Sequence, residues 1–225
     1  MLRGKGMLIT LTEVRPRDEP DFNEWYNREH IDERVNLPGF RRARRYVAAG
    51  RADPKYFATY ECRTVADLAD PGYLKLLTNQ SPWSQRVMQR FTKFQRLTLR
   101  IRVDLTHGVG GAVTCLRFVP ERKRARALAR WLKTEALPAA IAERGLVGGF
   151  AAENDLEVAN APAKAQGLAY PSATDIVWAV VLEGGDAGAT AAAARKHFAR
   201  AALAPFGVTA APVVGTYRLM FGNFR

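Results

Sequence analysis

The stretch FNEWYNREHIDERVNLPGF, residues 22–40, predicts one helix that runs into a turn. At about 100° per residue, Trp25 and Tyr26 share one side of this helix with other apolar residues. The same side carries the Glu29 carboxylate, with His30 at its edge. A face that is both aromatic and polar indicates either a solvated helix end or the wall of a cavity that contains a few polar groups.

A second segment repeats this pattern. RWLKTEALPAAIAERGLVGGF, residues 130–150, aligns with the first stretch so that Trp131 falls on Trp25 and Glu135 on Glu29. Both pairs are spaced i, i+4 and therefore share a helical face. A pair that occurs in both halves is more typical of scaffold than of catalysis.

The order of predicted elements also occurs twice along the chain. The predicted strands are 7–14, 42–48, 55–62 and 94–103, then 112–119, a short strand after GLVGGF, 174–183 and 213–221. The predicted helices are 21–35, 65–88 in two pieces, 121–144 and 189–203, with a loop over 160–173. Each half thus follows the β-α-β-β-α-β order of a ferredoxin-like unit.

We therefore predict an α+β protein with two tandem ferredoxin-like units, 1–105 and 106–225. An antiparallel sheet that carries helices on one face leaves its other face to be covered. Two such sheets packed face to face cover each other. We expect a pseudo-dimeric α/β barrel within one chain, and further association into a homodimer stays open.

Three segments of the first half resemble the dimeric α/β-barrel superfamily, and within it the EthD-like members. They are FNEWYNREHIDERVNLPGFRRARRY, KYFATYEC and SPWSQRVMQRF. The resemblance covers residues 7–103 by motif, and 112–221 by topology and the repeated Trp–Glu pair only. It implies a ligand pocket between the sheet and the helices of one unit, mostly apolar with a few polar groups.

Carried onto this sequence, the resemblance gives a set of candidate site residues. The candidate catalytic residues are His30 and Tyr26, and the candidate substrate-binding residues are Trp25, Arg34, Tyr46, Tyr56, Tyr60 and Trp83. Trp83 also fits simple core packing. The second half has Leu132 and Ala136 at the positions of Tyr26 and His30, so we expect one working pocket, in the first half.

His30 suits general acid/base catalysis near neutral pH, and Tyr26 or Tyr46 suits hydrogen bonding to a substrate carbonyl that becomes an enolate-like oxyanion. These roles predict cofactor-free isomerase, cyclase or decarboxylase chemistry on a small carbonyl- or carboxylate-bearing aromatic or polyketide-like compound. The structural alternative is that His30 hydrogen-bonds the loop around Pro38 and fixes the turn. The functional alternative is a non-catalytic small-molecule-binding or stress-response protein of the same fold.

Haem binding is a more distant alternative. His197 lies on an alanine-rich predicted helix, and some haem-binding relatives place an iron ligand on a helix of the second unit. A lone histidine beside Lys196 is more typically solvated. Because three scattered histidines show no ligand spacing, we predict no metal site and no cofactor.

Composition limits the other function classes. The 225 residues are 48% apolar, which supplies a core, and no run approaches the ~18 apolar residues of a membrane span. The net charge of +12 is spread over both halves, so we expect neither a nucleic-acid nor a membrane partner. The densest cluster, FRRARRY, predicts a solvated strand face, with an anion or nucleic-acid patch as the alternative. Cys62 and Cys115 fit small buried hydrophobes, and we expect a cytoplasmic location.

Overall fold

Eight antiparallel strands close into a barrel. In the computed structural model, which describes residues 2–166 and 173–224, the strands are β1 (Gly6–Val14), β2 (Phe40–Ala48), β3 (Tyr56–Cys62), β4 (Phe91–Asp104), β5 (Ala112–Phe118), β6 (Leu146–Asn154), β7 (Trp178–Gly184) and β8 (Val213–Phe224). They are hydrogen-bonded in the order β1-β3-β2-β8-β5-β7-β6-β4, and β4 returns to β1. The closed order leaves no unpaired strand edge among them.

Two seams join the strands of the first half to those of the second. β2 pairs with β8, where Arg45 lies opposite Phe221, and β4 pairs with β6, where Ile101 lies opposite Ala152. The sequence predicted a barrel made by face-to-face packing of two sheets. The structure adds that the sheets are joined edge to edge, so that the inner faces of both halves meet in one continuous barrel.

The helices lie on the outside of this barrel. They are α1 (Glu19–Trp25), α2 (Ile31–Val35), α3 (Pro71–Thr78), α4 (Pro82–Met88), α5 (Ala125–Trp131), α6 (Leu137–Ile141), α7 (Leu156–Gln166), α8 (Ala187–His197) and α9 (Arg200–Leu203). A π-helical turn, Tyr26–His30, connects α1 to α2, and a second one, Leu132–Ala136, connects α5 to α6. Such turns are frequent at functional sites.

Alternation along each strand divides the buried side chains into three cores. One core fills the barrel and includes Phe57 and Tyr217. A second lies between the first-half strands and their helices and includes Tyr60 and Trp25, while a third includes Trp178 in the second half. A residue's position along its strand thus decides whether it faces the barrel interior or a helix.

The arginine run of β2 follows the same alternation, and the predicted solvated strand face was wrong. Only Arg41 is exposed, while Arg42, Arg44 and Arg45 are 7%, 1% and 2% exposed. Arg42 and Arg44 ion-pair with Glu61 inside the barrel, whereas Arg45 points outward beneath α1. The charges are buried because each finds acceptors on the face it occupies.

The predicted loop over 160–173 begins as a helix. α7 extends to Gln166, and Asp155 Oδ1 accepts a hydrogen bond from the Val158 N–H at 3.2 Å at its start. Alanines favour this helix even though Pro162 interrupts its hydrogen bonding. Residues 167–172 of the predicted loop lie outside the described residues.

Both cysteines are free and buried, as predicted. Burial raises the pKa of the Cys115 thiol to about 11, which leaves it protonated and unreactive at neutral pH. In the part of the chain that the structure describes, no helix is both long and apolar enough to cross a bilayer.

Candidate functional site

A cavity of about 30 Å³ lies between the helices of the first half and the outward face of its strands. Its polar side chains are Thr10, Tyr26, His30, Arg34, Tyr60, Gln80 and Arg96, and its apolar walls include Tyr73, Phe91 and Phe94. A volume of this size holds one or two water molecules. The sequence-predicted pair Tyr26 and His30 therefore lines the same cavity as Arg34 and Tyr60.

His30 is held among aromatic rings at the end of the π-helical turn. Its ring centroid lies 4.1 Å from that of Trp25, 4.7 Å from that of Tyr26 and 6.3 Å from that of Tyr60. The Nδ1 is buried and has no hydrogen-bond partner among the described residues. No hydrogen bond from this atom locks the turn at Pro38, and the imidazole nitrogen is left available to a ligand.

Burial lowers the pKa of His30 well below its ordinary value, and the positive charges of Arg34 and Arg45 lower it further. The imidazole is therefore neutral at neutral pH. A neutral ring has one nitrogen that can accept a proton and one N–H that can donate a hydrogen bond, and the tautomer decides which nitrogen does which.

Tyr60 and Tyr26 place two phenols at the same cavity. The Tyr60 hydroxyl is buried without a hydrogen-bond partner among the described residues, and the Tyr26 hydroxyl lies 3.5 Å from Thr10 Oγ1. Burial raises the pKa of Tyr60 well above its ordinary value, and the neighbouring Tyr26 adds to the effect. Tyr60 thus stays protonated and can donate a hydrogen bond to a ligand oxygen.

Two buried guanidinium groups make the surroundings positive. Arg34 Nη1 donates to the His30 carbonyl and to Glu33 Oε2, both at 3.0 Å. Arg45 lies over the Tyr26 ring at 4.3 Å and donates to both oxygens of Asn23. Among the described residues no carboxylate pairs with Arg45, so the site favours negative charge on a ligand.

Trp25 and Glu29 are scaffold around this site. Trp25 Nε1 donates to Glu29 Oε1 at 3.2 Å and to Ser84 Oγ at 2.9 Å, and Ser81 Oγ donates to the same Glu29 oxygen at 2.5 Å. These bonds tie the π-helical turn to α4. Trp25 therefore contacts His30 as a fixed aromatic wall, while the counterpart carboxylate in the second half, Glu135, is exposed.

Like Trp25, three more of the predicted substrate-binding residues do not line the cavity. Tyr46 points into the barrel core, because it occupies an inward position of β2, so the sheet separates it from His30. Tyr56 faces the helices, but its hydroxyl donates to Glu19 Oε2 at 3.0 Å away from the cavity. Trp83 Nε1 donates to Asp21 Oδ1 at 2.8 Å and its ring packs on the first-half core.

Several cavity residues were missed by the sequence analysis. Thr10, Tyr73 and Phe94 carried no motif, and Phe91 ends the SPWSQRVMQRF segment without having been named as a site residue; only their placement in the fold brings them together. Arg45 could have been identified from the sequence, because residues two apart on a strand point to the same side. Ala43 faces the helices, so Arg45, two residues later on β2, faces them too.

Haem does not fit His197, the histidine considered for it, and it does not fit the cavity at His30. His197 Nε2 lies 2.8 Å from Glu143 Oε1, which also binds Lys196, so this imidazole is already occupied at the surface of α8. The cavity at His30 is far too small for a porphyrin. Over residues 2–166 and 173–224, no group of three or more His, Cys, Asp or Glu side chains could hold a metal ion.

Comparisons with known proteins identify the fold. No protein-family model matches the sequence, and no curated protein is similar to it in sequence. An anthrone oxidase-like protein superposes with a TM-score of 0.64 at 13% identity, over 97% of this chain and 92% of its own. A candidate monooxygenase from Lactobacillus acidophilus NCFM gives 0.59 at 13% identity, over 98% and 96%. A candidate chlorite dismutase gives 0.55 at 12% identity, over 97% and 96%.

These similar structures are dimeric α/β-barrel proteins, and the chain has the same barrel fold. At 12–13% identity the likeness describes the fold alone.

Proposed function

We propose that the protein is a small-molecule enzyme that performs cofactor-free acid/base chemistry on a carbonyl- or carboxylate-bearing aromatic or polyketide-like compound. One observation carries the proposal: His30 Nδ1 and the Tyr60 hydroxyl line one cavity, and both are buried without a hydrogen-bond partner among the described residues. Each such group costs about 1–3 kcal/mol of folding stability. A ligand that bonds both would relieve this cost.

In the proposed reaction, neutral His30 takes a proton from a carbon next to the substrate carbonyl. The electron pair of the broken C–H bond moves to the carbonyl oxygen, which Tyr60 and Tyr26 stabilise as hydrogen-bond donors. The nearby charges of Arg34 and Arg45 favour the resulting enolate. Although His30 is a weak base without a ligand, the new negative charge beside it favours the imidazolium, which then returns the proton to a different atom.

Substrate-sized space would come from a neighbouring cavity of about 270 Å³. Phe94 and Arg96 line both cavities, and the Phe94 side chain is 41% exposed. Rotation of Phe94 would join the two spaces into one of the size that small-molecule sites usually have. The partner that we propose is therefore a small molecule.

The same proposal includes the organisation of the chain as two tandem ferredoxin-like units, 1–105 and 106–225, of the EthD-like type. It is supported by the strand order β4-β1-β3-β2 in the first half, which β8-β5-β7-β6 repeats in the second. The π-helical turns Tyr26–His30 and Leu132–Ala136 occupy matching places. Only the first unit would carry the catalytic side chains.

The test is exchange of acidic C–H protons for deuterium in small aromatic ketones such as 2-tetralone, followed by NMR in D₂O. We expect His30→Gln to slow exchange by about 10²–10⁴-fold and Tyr60→Phe by a smaller factor. Tyr46→Phe is the matched control, because its hydroxyl is also buried and unbonded but lies on the other side of the sheet.

Equal exchange rates in the wild type and His30→Gln would contradict the proposed base. Binding of such ketones with no exchange above that of buffer would favour the non-catalytic binding protein.

A further inference from the structure

A larger cavity, of about 530 Å³, opens at one end of the barrel. It is lined by the end of β5, the start of β8, Gln95 of β4 and residues 207–211. None of its lining residues belongs to the Tyr26–His30 cavity. Its volume lies within the roughly 300–1,000 Å³ of typical small-molecule sites.

Arg117 lies at the base of this cavity. The residue is 8% exposed. It lies two residues after Cys115 on β5, so the two side chains point to the same face of the strand, and Cys115 belongs to the barrel core. Its Nη1 donates to Gln95 Oε1, while its Nε is buried without a hydrogen-bond partner among the described residues. No described carboxylate ion-pairs with it, and the one acidic residue of the lining, Glu121, is half-buried and pairs with Lys123 and Arg124.

The other arginines that point into the barrel each have a carboxylate partner, and Arg117 has none among the described residues. Arg42 pairs with Glu61, and Arg44 pairs with both Glu61 and Glu183. Buried charges in proteins are normally paired in this way, because an unpaired buried charge is costly. Arg117 is thus a buried cation that pairs with no anionic group among the described residues.

The remaining walls of the cavity are mostly apolar. Phe118 and Val208 are buried beside it, while Val119 and Val213 are 44% and 53% exposed at its rim. A ligand for this place needs one anionic group at the bottom and an apolar body against the rim.

We propose that this cavity, the Arg117 site, binds a small organic carboxylate with an apolar body. The carboxylate accepts hydrogen bonds from the Arg117 guanidinium, and the apolar part covers Val119 and Val213. The Arg117 site shares no lining residue with the Tyr26–His30 cavity, whereas Gln95 and Val177 line both it and the neighbouring cavity of about 270 Å³.

The first test compares octanoate with 1-octanol by isothermal titration calorimetry, in the wild type and in Arg117→Met. The two probes differ only in the charged end. We expect octanoate to bind the wild type with a Kd below about 1 mM, and Arg117→Met to weaken it by about tenfold or more. The affinity for 1-octanol should change by less than about threefold, because methionine keeps the apolar walls.

A second pair of variants tests whether the probes bind in this cavity, independently of the charge of Arg117. Val213→Trp puts a large ring at the rim and should abolish binding of both probes. Val214→Trp is the matched control, because this neighbouring residue is 45% exposed but does not line the cavity. Both positions are exposed, so both variants should fold, with circular dichroism spectra like that of the wild type.

The proposal is overturned if octanoate does not bind the wild type, or if Arg117→Met binds octanoate as tightly as the wild type does. Equal binding of octanoate to Val213→Trp and Val214→Trp also overturns it, even if Arg117→Met fails to fold.

Discussion

Arg44 and Glu183 form an ion pair across the inside of the barrel, with 2.5 Å between Arg44 Nη1 and Glu183 Oε1. The two side chains come from β2 and β7, which are not hydrogen-bonded neighbours. Glu183 Oε1 also accepts a hydrogen bond from the Gly110 N–H at 2.8 Å. The pair therefore links both halves of the barrel and the segment that connects them.

Glu183→Gln should destabilise the protein by about 3 kcal/mol, because it leaves a buried cation short of its counter-charge. The loss should stay at the lower end of the range for such changes, since Glu61 remains 3.6 Å from Arg44. Urea denaturation followed by circular dichroism measures the change. The exposed pair of Arg28 with Glu24 supplies the control, and Glu24→Gln should cost less than about 0.5 kcal/mol. Equal losses of unfolding free energy in the two variants would show that the buried pair contributes no more to stability than the exposed pair.

Arg45→Met should cost about 2–4 kcal/mol of unfolding free energy. The change removes hydrogen bonds to Asn23 and Asn27 and the contact of the guanidinium with the Tyr26 ring. Arg41→Met, four residues earlier in the same arginine run, is the control and should stay within about 0.5 kcal/mol, because Arg41 is exposed. Chemical denaturation of both variants at one pH measures their unfolding free energies. Similar losses in the two variants would contradict the assigned burial of Arg45.

Glu29→Gln should cost about 1–3 kcal/mol, whereas Glu135→Gln should be nearly neutral. The two positions align in sequence, yet only Glu29 accepts hydrogen bonds from Trp25, Ser81 and Ser84. Trp25 fluorescence should also shift in Glu29→Gln, because its indole N–H loses a charged acceptor. A large loss in Glu135→Gln would mean that both carboxylates are structural.

Stability should fall on acidification because of His30. The unfolded chain protonates this histidine near its ordinary pKa of 6.5, while burial keeps the folded form neutral to much lower pH. The unfolded state then binds more protons, so the free energy of unfolding decreases by up to about 1.4 kcal/mol per pH unit below pH 6.5.

His30→Gln should remove this part of the pH dependence between pH 6.5 and 5. His107→Gln, at an exposed position, is the control and should keep the wild-type slope. The measurement is urea denaturation at a series of pH values. A His30 ring whose NMR signals titrate near pH 6.5 in the folded protein would contradict the assigned burial of the imidazole.

Hydrophobic pattern and turn chemistry were enough to predict most of the elements. All seven strands predicted with bounds exist. The strand predicted after GLVGGF begins earlier, at Leu146 inside that segment, and the helical region predicted in two pieces is divided at Pro71 and Pro82 into a 3₁₀ turn and two helices. The edge-to-edge seams could not be predicted, because strand pairing between distant segments depends on the whole barrel. The π-helical turns were not predicted either, since no residue type marks them.

Four predicted site residues line the cavity, three that share a helix face and Tyr60 of β3, which the resemblance implied. Tyr26, His30 and Arg34 share a helix face, and the structure places them on one cavity. Tyr46 was misplaced because aromatic character was used without the two-residue alternation that sends Tyr46 inward and Arg45 outward. The sequence analysis assumed that the charged residues of the arginine run are exposed. This was wrong for the arginines that have buried hydrogen-bond acceptors.

Both seams of the barrel, β2 with β8 and β4 with β6, lie within one polypeptide. Closure is then a unimolecular event whose cost is that of closing a loop, and dilution cannot open it. A barrel built from two identical chains must duplicate every side chain that it carries. A single chain escapes that symmetry: one side can hold the imidazole of His30 while the other holds only the methyl group of Ala136, so each side is free to change on its own.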